Sequence, residues 1–436
     1  MNFPQRLLSR TVALRPGEAR ALLASFAYFF CLLAGYYVLR PLRDEMGVAG
    51  GVRNLPWLFT ATFLVMLAVV PVFGAVVARL PRRRFIPLVY HFFAANIALF
   101  WLLLTFELAP VHIARVFFVW VSVFNLFAVS VFWSFMADLY TSEQGKRLFG
   151  FIAAGGSAGA LLGPMLTVGL VERLGPVNLL VVAAIFLECA VWCAARLELA
   201  AGNFREPGAP SAARADTALG GSWLAGIARL LRSPYLAGIA LWVALLSLAG
   251  TFLYFMQANV VAAASDDPAV RTRIFAAIDL AIGILTLLVQ GVATGRIIAR
   301  IGPGPAAALL PFVFALGFLA LWGSPLLAVV IAFQALQRAA NFAIANPARE
   351  VLFTVLGREE KYKAKNVIDL VVFRGSDAAS GWLFGALRAA GLDIGAVALA
   401  TVPVCAGWLA LALLLGRMHE HRAAPHPDLS SKGDSP

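Results

Sequence analysis

The sequence predicts an all-α membrane protein of twelve transmembrane helices arranged as two six-helix pseudo-repeats. Three observations carry this. The 436 residues are 61% hydrophobic and only 13% charged, which a soluble chain of this size does not sustain. Apolar runs of about 20 residues, the length that crosses a bilayer's hydrocarbon layer, recur along nearly the whole chain. Finally, matching features recur about 220 residues apart on either side of a polar stretch.

Taken in order, residues 1–20 form a basic tail with Arg6, Arg10, Arg15 and Arg20. Spans are expected at about 21–43, 55–78, 85–106, 113–136, 148–170 and 176–197, an N-terminal bundle over 21–197. The first run is too long for a signal-peptide core and no small-residue cleavage site follows it, so it reads as an uncleaved span. Residues 198–234 include AGNFREPGAPSAARADTALGGS, rich in Gly, Pro and Ala, and read as a flexible linker. Six further spans follow at about 235–258, 273–294, 305–323, 325–347, 367–389 and 393–416. They make a C-terminal bundle over 235–416, before a polar tail over 417–436.

Most of the 35 Lys and Arg residues fall in the tails, the linker and the loops after spans 2, 4, 8 and 10. That side is therefore expected in the cytoplasm, with both termini there and the chain in the cell's inner (plasma) membrane. The net charge of +12 so reads as membrane orientation, and no nucleic-acid partner is expected. Cys31, Cys189, Cys193 and Cys405 all lie inside apolar runs, which suits buried hydrophobes and neither a disulfide framework nor a metal site. No Walker loop, nucleophile elbow or catalytic constellation is present. Neither enzymatic activity nor a cofactor is expected, and the partners are the lipid bilayer and a small solute.

The repeat is visible in two places. GAVVARLP at 74–81 is matched by GRIIARIG at 295–302. Asn125 and Asn341 occupy matching places in spans 4 and 10, each span running into a charged hairpin. Two six-helix halves in parallel repeat resemble the plan of the major facilitator transporters. RLPRRR after span 2 resembles that superfamily's signature loop, although Ala78 and Ala299 stand where an acidic residue is usual. Positive-inside anchoring explains the loop equally well.

A charge at the bilayer centre costs roughly 2.5–3.5 kcal/mol, so it normally faces a wet cavity or a partner. Arg338 lies half-way along span 10, and Arg374 and Asp377 half-way along span 11. Gln334, Arg338 and Asn341 form an i, i+4, i+7 stripe. Asp279 lies in span 8, Gln257 and Asn259 end span 7, and Ser122 and Asn125 lie on span 4. Span 1 ends with Tyr36, Arg40 and Arg43 on one face, with Asp44 placed to pair with Arg40. A ring to stack on and guanidiniums to fork onto oxygens suit a base-plus-phosphate ligand; an interfacial girdle of aromatic and basic residues is the alternative. Gly155, Gly159 and Gly163 line one face of span 5 before Pro164, marking close helix packing or a sliding hinge. Glu188 on span 6 is expected to be protonated or locally paired.

LRPLRDEM at 39–46, FWSFMAD ending at Asp138 with Lys146 and Arg147 after it, and Asn346 to Glu350 followed by Glu359, Lys363, Lys365 and Asp369 resemble the ATP/ADP translocases of plastids and obligate intracellular bacteria. The resemblance touches spans 1, 4–5 and 10–11. It implies a twelve-helix nucleotide exchanger, with a basic residue ending span 1, where Arg43 stands, and a lysine in span 11, where Asp377 stands instead.

The function expected is therefore alternating-access transport, by a monomer, of an organic anion that is nucleotide-like or otherwise phosphorylated. Substrate-binding candidates are Tyr36, Arg40, Arg43, Asn125, Arg338, Asn341 and Arg374; coupling or gating candidates are Asp138, Asp279, Glu359, Lys363 and Asp377. A proton-coupled exporter of amphipathic compounds and a non-transporting membrane sensor or scaffold are the alternatives.

Overall fold

The computed structural model describes residues 15, 18–79, 82–201, 232–292, 300–357, 360, 364, 365 and 367–423. Glu359, Lys363, most of the linker and most of both tails lie outside them, as do residues 80 and 81 of the basic loop, whose side chains from 74 to 84 are also undescribed.

Twelve long helices, two of them built from consecutive segments, are found among the described residues, with 3₁₀ turns at Val52–Asn54 and Phe353–Val355. The first half holds α1 Glu18–Ala49, α2 Leu55–Arg79, α3 Arg82–Thr105, α4 Pro110–Leu139, α5 Ser142–Leu174 and α6 Leu179–Ala201. The second holds α7 Pro234–Ala264, α8 Pro268–Val292, α9 Pro303–Gly323, α10, α11 and α12 Ile394–Ala423. Helix α10 begins as Leu327–Ala340, passes through a π-helical turn at Asn341–Ala345 and finishes as Asn346–Leu352. Helix α11 starts with the π-helical segment Val367–Val372 and continues as Phe373–Ala389. Among the described residues, eleven helices are long and apolar enough to cross a membrane. The regular part of α11 is shorter, 17 residues, and carries Arg374, Asp377 and Arg388.

The helix ends follow local chemistry. Thr141 and Gln144 close a reciprocal capping box at the start of α5. Proline opens α4, α7 and α9, where its missing N–H costs nothing. Gly175 ends α5 at φ 76°, a conformation that favours glycine.

Short connections make consecutive helices antiparallel within each half, and α1 and α7 meet toward their C-terminal ends through Asp44 and Tyr254, so α1 begins and α12 ends at one end of the bundle, here the terminus end. Within the first lobe α1 packs on α4, α5 and α6; within the second α7 packs on α11 and α12, and α9 on α12. The lobes meet where α5 and α1 touch α8 and where α2 touches α11. The glycine face of α5 makes a close helix approach. A Cβ on Gly159 would stand 2.2 Å from the Phe30 carbonyl oxygen, and one on Gly163 2.7 Å from that of Ala34. The spacing thus serves backbone-to-backbone packing of α1 on α5.

Each lobe has its own buried core. That of the first lies between residues 21 and 197 and includes Tyr28, Phe29, Phe124 and Phe132. That of the second includes Trp242, Phe314 and Trp408, but also takes in Val48, Leu55, Leu58 and Phe118 from the first half. These four lie near the end opposite the termini, here the far end. The lobes are joined by apolar packing at the far end.

Candidate solute pathway between the lobes

Polar contacts reinforce that far-end closure. Asp44 on α1 accepts a hydrogen bond from the Tyr254 hydroxyl on α7 at 2.9 Å. Glu45 pairs with Arg271 on α8 at 2.7 Å, and Arg273 pairs with Glu172 on α5. Trp57 on α2 meets Trp382 on α11 edge-on at 4.7 Å, and the Trp382 indole donates to Thr60. Arg43 lies in this layer, 4.3 Å over the Phe118 ring and 3.6 Å from Asp44. The expected Asp44–Arg40 pair does not form, because Tyr254 and Arg43 hold Asp44 while Arg40 is drawn across to another carboxylate.

That carboxylate is Asp279, on α8 of the second lobe. Arg40 approaches its Oδ1 to 3.5 Å and Arg338 on α10 approaches the same atom to 3.6 Å. The Asp279 side chain is 4% exposed, with Arg40 at 11% and Arg338 at 21%. Its Oδ2 is buried without a hydrogen-bond partner. The three groups thus join α1 of one lobe to α8 and α10 of the other. The formal charge of the triad is one positive, since two guanidiniums face one carboxylate.

Asp279 also lines a cavity of about 350 Å³ between α1, α5, α8 and α10. Phe29, Tyr37, Ser157, Thr286 and Phe342 are among its other walls. The lining residues of α1 precede Arg40 and most of those of α8 follow Asp279, so the cavity extends from the triad toward the terminus end. A volume of this size suits a small organic solute. The lining is mostly apolar, and the Thr286 hydroxyl is buried without a hydrogen-bond partner.

Around the triad lie neutral polar groups. Gln334 donates to Gln257 across α10 and α7, and Gln337 donates to Gln334 at 2.8 Å. The Asn341 Oδ1, in the π turn of α10 beside cavity-lining Phe342, is buried without a hydrogen-bond partner. Tyr36 is half-buried and packs edge-on against Tyr37 at 5.2 Å. It is Tyr37, not Tyr36, whose ring lies under Arg40 at 5.5 Å. Asn125 is half-buried on α4 and Asp138 is buried near its end.

Arg374 and Asp377 form a different unit. They pair at 3.4 Å along α11, and the Asp377 Oδ1 accepts hydrogen bonds from Ser247 at 2.6 Å and Thr251 at 3.2 Å on α7. Arg374 therefore does not join Arg338 at one carboxylate. At the terminus end, Glu18 binds Arg147 at 3.0 Å, while Arg349 binds Asp369 at 2.9 Å and Lys365 binds Glu350 at 2.8 Å. Glu188 is locally paired, 3.1 Å from His91 on the outer face of α3 and α6. No cluster of three metal-ligating side chains occurs among the described residues.

Sequence reasoning missed Tyr254, Arg271, Gln337, Ser247, Thr251 and Thr286. The available signal was weak: Tyr254, Ser247, Thr251 and Thr286 are single polar side chains within apolar runs, Gln337 stands beside Arg338, and Arg271 belongs to the polar start of α8.

No protein-family model matches the chain, and no curated protein matches it. Solved structures do resemble it. A bacterial homologue of the human lysosomal transporter Spinster aligns at TM-score 0.56 and 14% identity, over 94% of this chain and 99% of its own. The nucleoside transporter NupG aligns at 0.58 and 14%, over 94% and 100%. A POT family transporter crystallised with a thioalcohol-conjugated peptide aligns at 0.64 and 12%, over 93% and 97%. At these identities the likeness is one of architecture: the chain is a multi-pass α-helical protein with the major facilitator fold.

Proposed function

We propose that this chain is an alternating-access transporter of an organic anion, phosphorylated or nucleotide-like, which binds in the cavity between the lobes. The carrying observation is Asp279 held between Arg40 of one lobe and Arg338 of the other at the head of that cavity. The aspartate stands where a substrate anion would bind. An incoming phosphate or carboxylate that takes over the guanidiniums gains charge-assisted, forked hydrogen bonds in place of two ion pairs of 3.5–3.6 Å. Because the arginines belong to different lobes, this exchange gives the two access states different affinities, as a ligand-driven shift requires. Tyr37 and Phe342 supply flat apolar walls for the rest of the solute. The resemblance of spans 1, 4–5 and 10–11 to ATP/ADP translocases supports a nucleotide-like solute and exchange. Asp377 in the lysine's place supports a solute other than ATP. The mostly basic terminus end supports a cytoplasmic placement of both termini.

The test is solute uptake into liposomes carrying the purified chain, after a thermal-shift screen of nucleotides and sugar phosphates selects the solute. Arg40→Ala and Arg338→Ala are each expected to abolish uptake at unchanged expression. Retained uptake in both removes the assignment.

The cavity's largely apolar wall and its single acidic residue favour a second reading, proton-coupled export of an amphipathic compound. That carrier would run on a pH gradient without counter-solute and would stop in Asp279→Asn.

A further inference from the structure

A second cavity lies outside the central pathway. It has a volume of about 720 Å³ and opens at the far end, between α2 of the first lobe and α7 and α11 of the second. Arg53 and Arg388 stand on its walls, Asn259 adds an amide, and Pro56, Phe255 and Trp382 supply apolar surface. Unlike Arg271 and Arg273 at the same end, neither Arg53 nor Arg388 has a carboxylate partner among the described residues. Arg388 gives one guanidinium N–H to the Leu392 carbonyl at 2.8 Å and keeps the rest of its fork free. On the orientation argued above this face is the one where basic residues are disfavoured, so two uncompensated guanidiniums lining one cavity need a reason.

The floor of the cavity is the seam between the lobes. Pro56 of α2 lies against Gly381 and Gly385 of α11, and small residues allow this approach. Arg53 belongs to one lobe and Arg388 to the other, so the site is assembled only while the far end is shut.

We infer that this cavity binds an organic phosphate with an apolar body, its phosphate between Arg53 and Arg388 and its body on Phe255 and Trp382, and that the bound ligand holds the far end closed. Two guanidinium forks match phosphate oxygens, and a ligand that binds one arrangement of the lobes better than another shifts the population toward it. A soluble phosphate monoester and a phospholipid headgroup share this chemistry, since the seam lies beside the exposed rings of Trp57 and Trp382.

The test uses the purified full chain in detergent, with melting followed by a thiol-reactive dye on the free cysteines. The probes are 1-naphthyl phosphate and dioctanoyl phosphatidylglycerol, with dioctanoyl phosphatidylcholine as control. At least one probe is expected to raise Tm saturably. Arg53→Gln/Arg388→Gln, at two exposed positions, is expected to move the midpoint concentration at least tenfold, while Arg173→Gln, at an exposed far-end position that does not line the cavity, leaves it unchanged. A shift from the naphthyl ester alone identifies a soluble ligand; one from the glycerol lipid alone identifies a headgroup. Spin labels at Leu174 and Val270 report closure, and the effective probe is expected to raise the short-distance population. No shift from either probe, the same midpoint in the double variant, loss of the shift in Arg173→Gln alone or an unmoved label distance overturns the proposal. None of these readouts depends on transport.

Discussion

At the scale of single residues, Asp279 carries the greatest consequence. Buried between two arginines with one oxygen unpartnered, it compensates charges that would otherwise stand alone. Removing one member of a buried charge network commonly costs about 3–5 kcal/mol. Asp279→Asn is therefore expected to lower Tm in plain buffer, and a phosphorylated anion is expected to restore Tm further in the variant than in the parent; a melting series with and without the anion measures both. Asp377 offers a contrast. Its partners Ser247, Thr251 and Arg374 all belong to its own lobe. Ser247→Ala/Thr251→Ala should cost about 1–3 kcal/mol by leaving a buried acceptor short of donors, and should leave the selected solute unchanged in a competition assay.

At the scale of helices, α5 is fixed by what its glycines touch. Gly159→Ala sets a methyl group 2.2 Å from a backbone oxygen of α1, which cannot move as a side-chain tip can. Overpacking of this kind costs about 1–3 kcal/mol or more, so little monodisperse protein is expected on gel filtration. Gly169→Ala on the same helix meets nothing within 4 Å and should be nearly neutral. Helices were legible in the sequence because bilayer thickness sets their length. The arginines were legible as candidates because charges in apolar runs are costly. Which carboxylate each would reach was not. Arg374 and Asp377 sit one turn apart, so their pairing follows from spacing, whereas Arg40 meets Asp279 only through packing of α1 on α8. The regular stripe of Gln334, Arg338 and Asn341 is also interrupted, since the π turn starting at Asn341 adds a residue to the helical turn.

At the scale of the molecule, the asymmetry between the two ends defines the state. Apolar packing, Asp44–Tyr254, Glu45–Arg271 and Glu172–Arg273 close the far end, while the cavity beside Asp279 extends toward the terminus end. Glu45→Gln/Arg271→Gln should loosen this closure without touching the triad. Spin labels at Leu174 and Val270, on facing lobes, are expected to show more long distances in that variant than in the parent. An unchanged distribution would leave the closure to apolar packing with Asp44–Tyr254 and Glu172–Arg273.

The triad's single surplus charge has an electrical side on the transport reading. An empty centre of net +1 and one loaded with a doubly charged anion, at net −1, would respond to membrane voltage in opposite directions. A full elementary charge moved through 100 mV exchanges about 2.3 kcal/mol with the field. For movement in the same direction, the loaded and the empty carrier are then driven oppositely by the resting potential, and the currents they carry on a supported bilayer should have opposite sign.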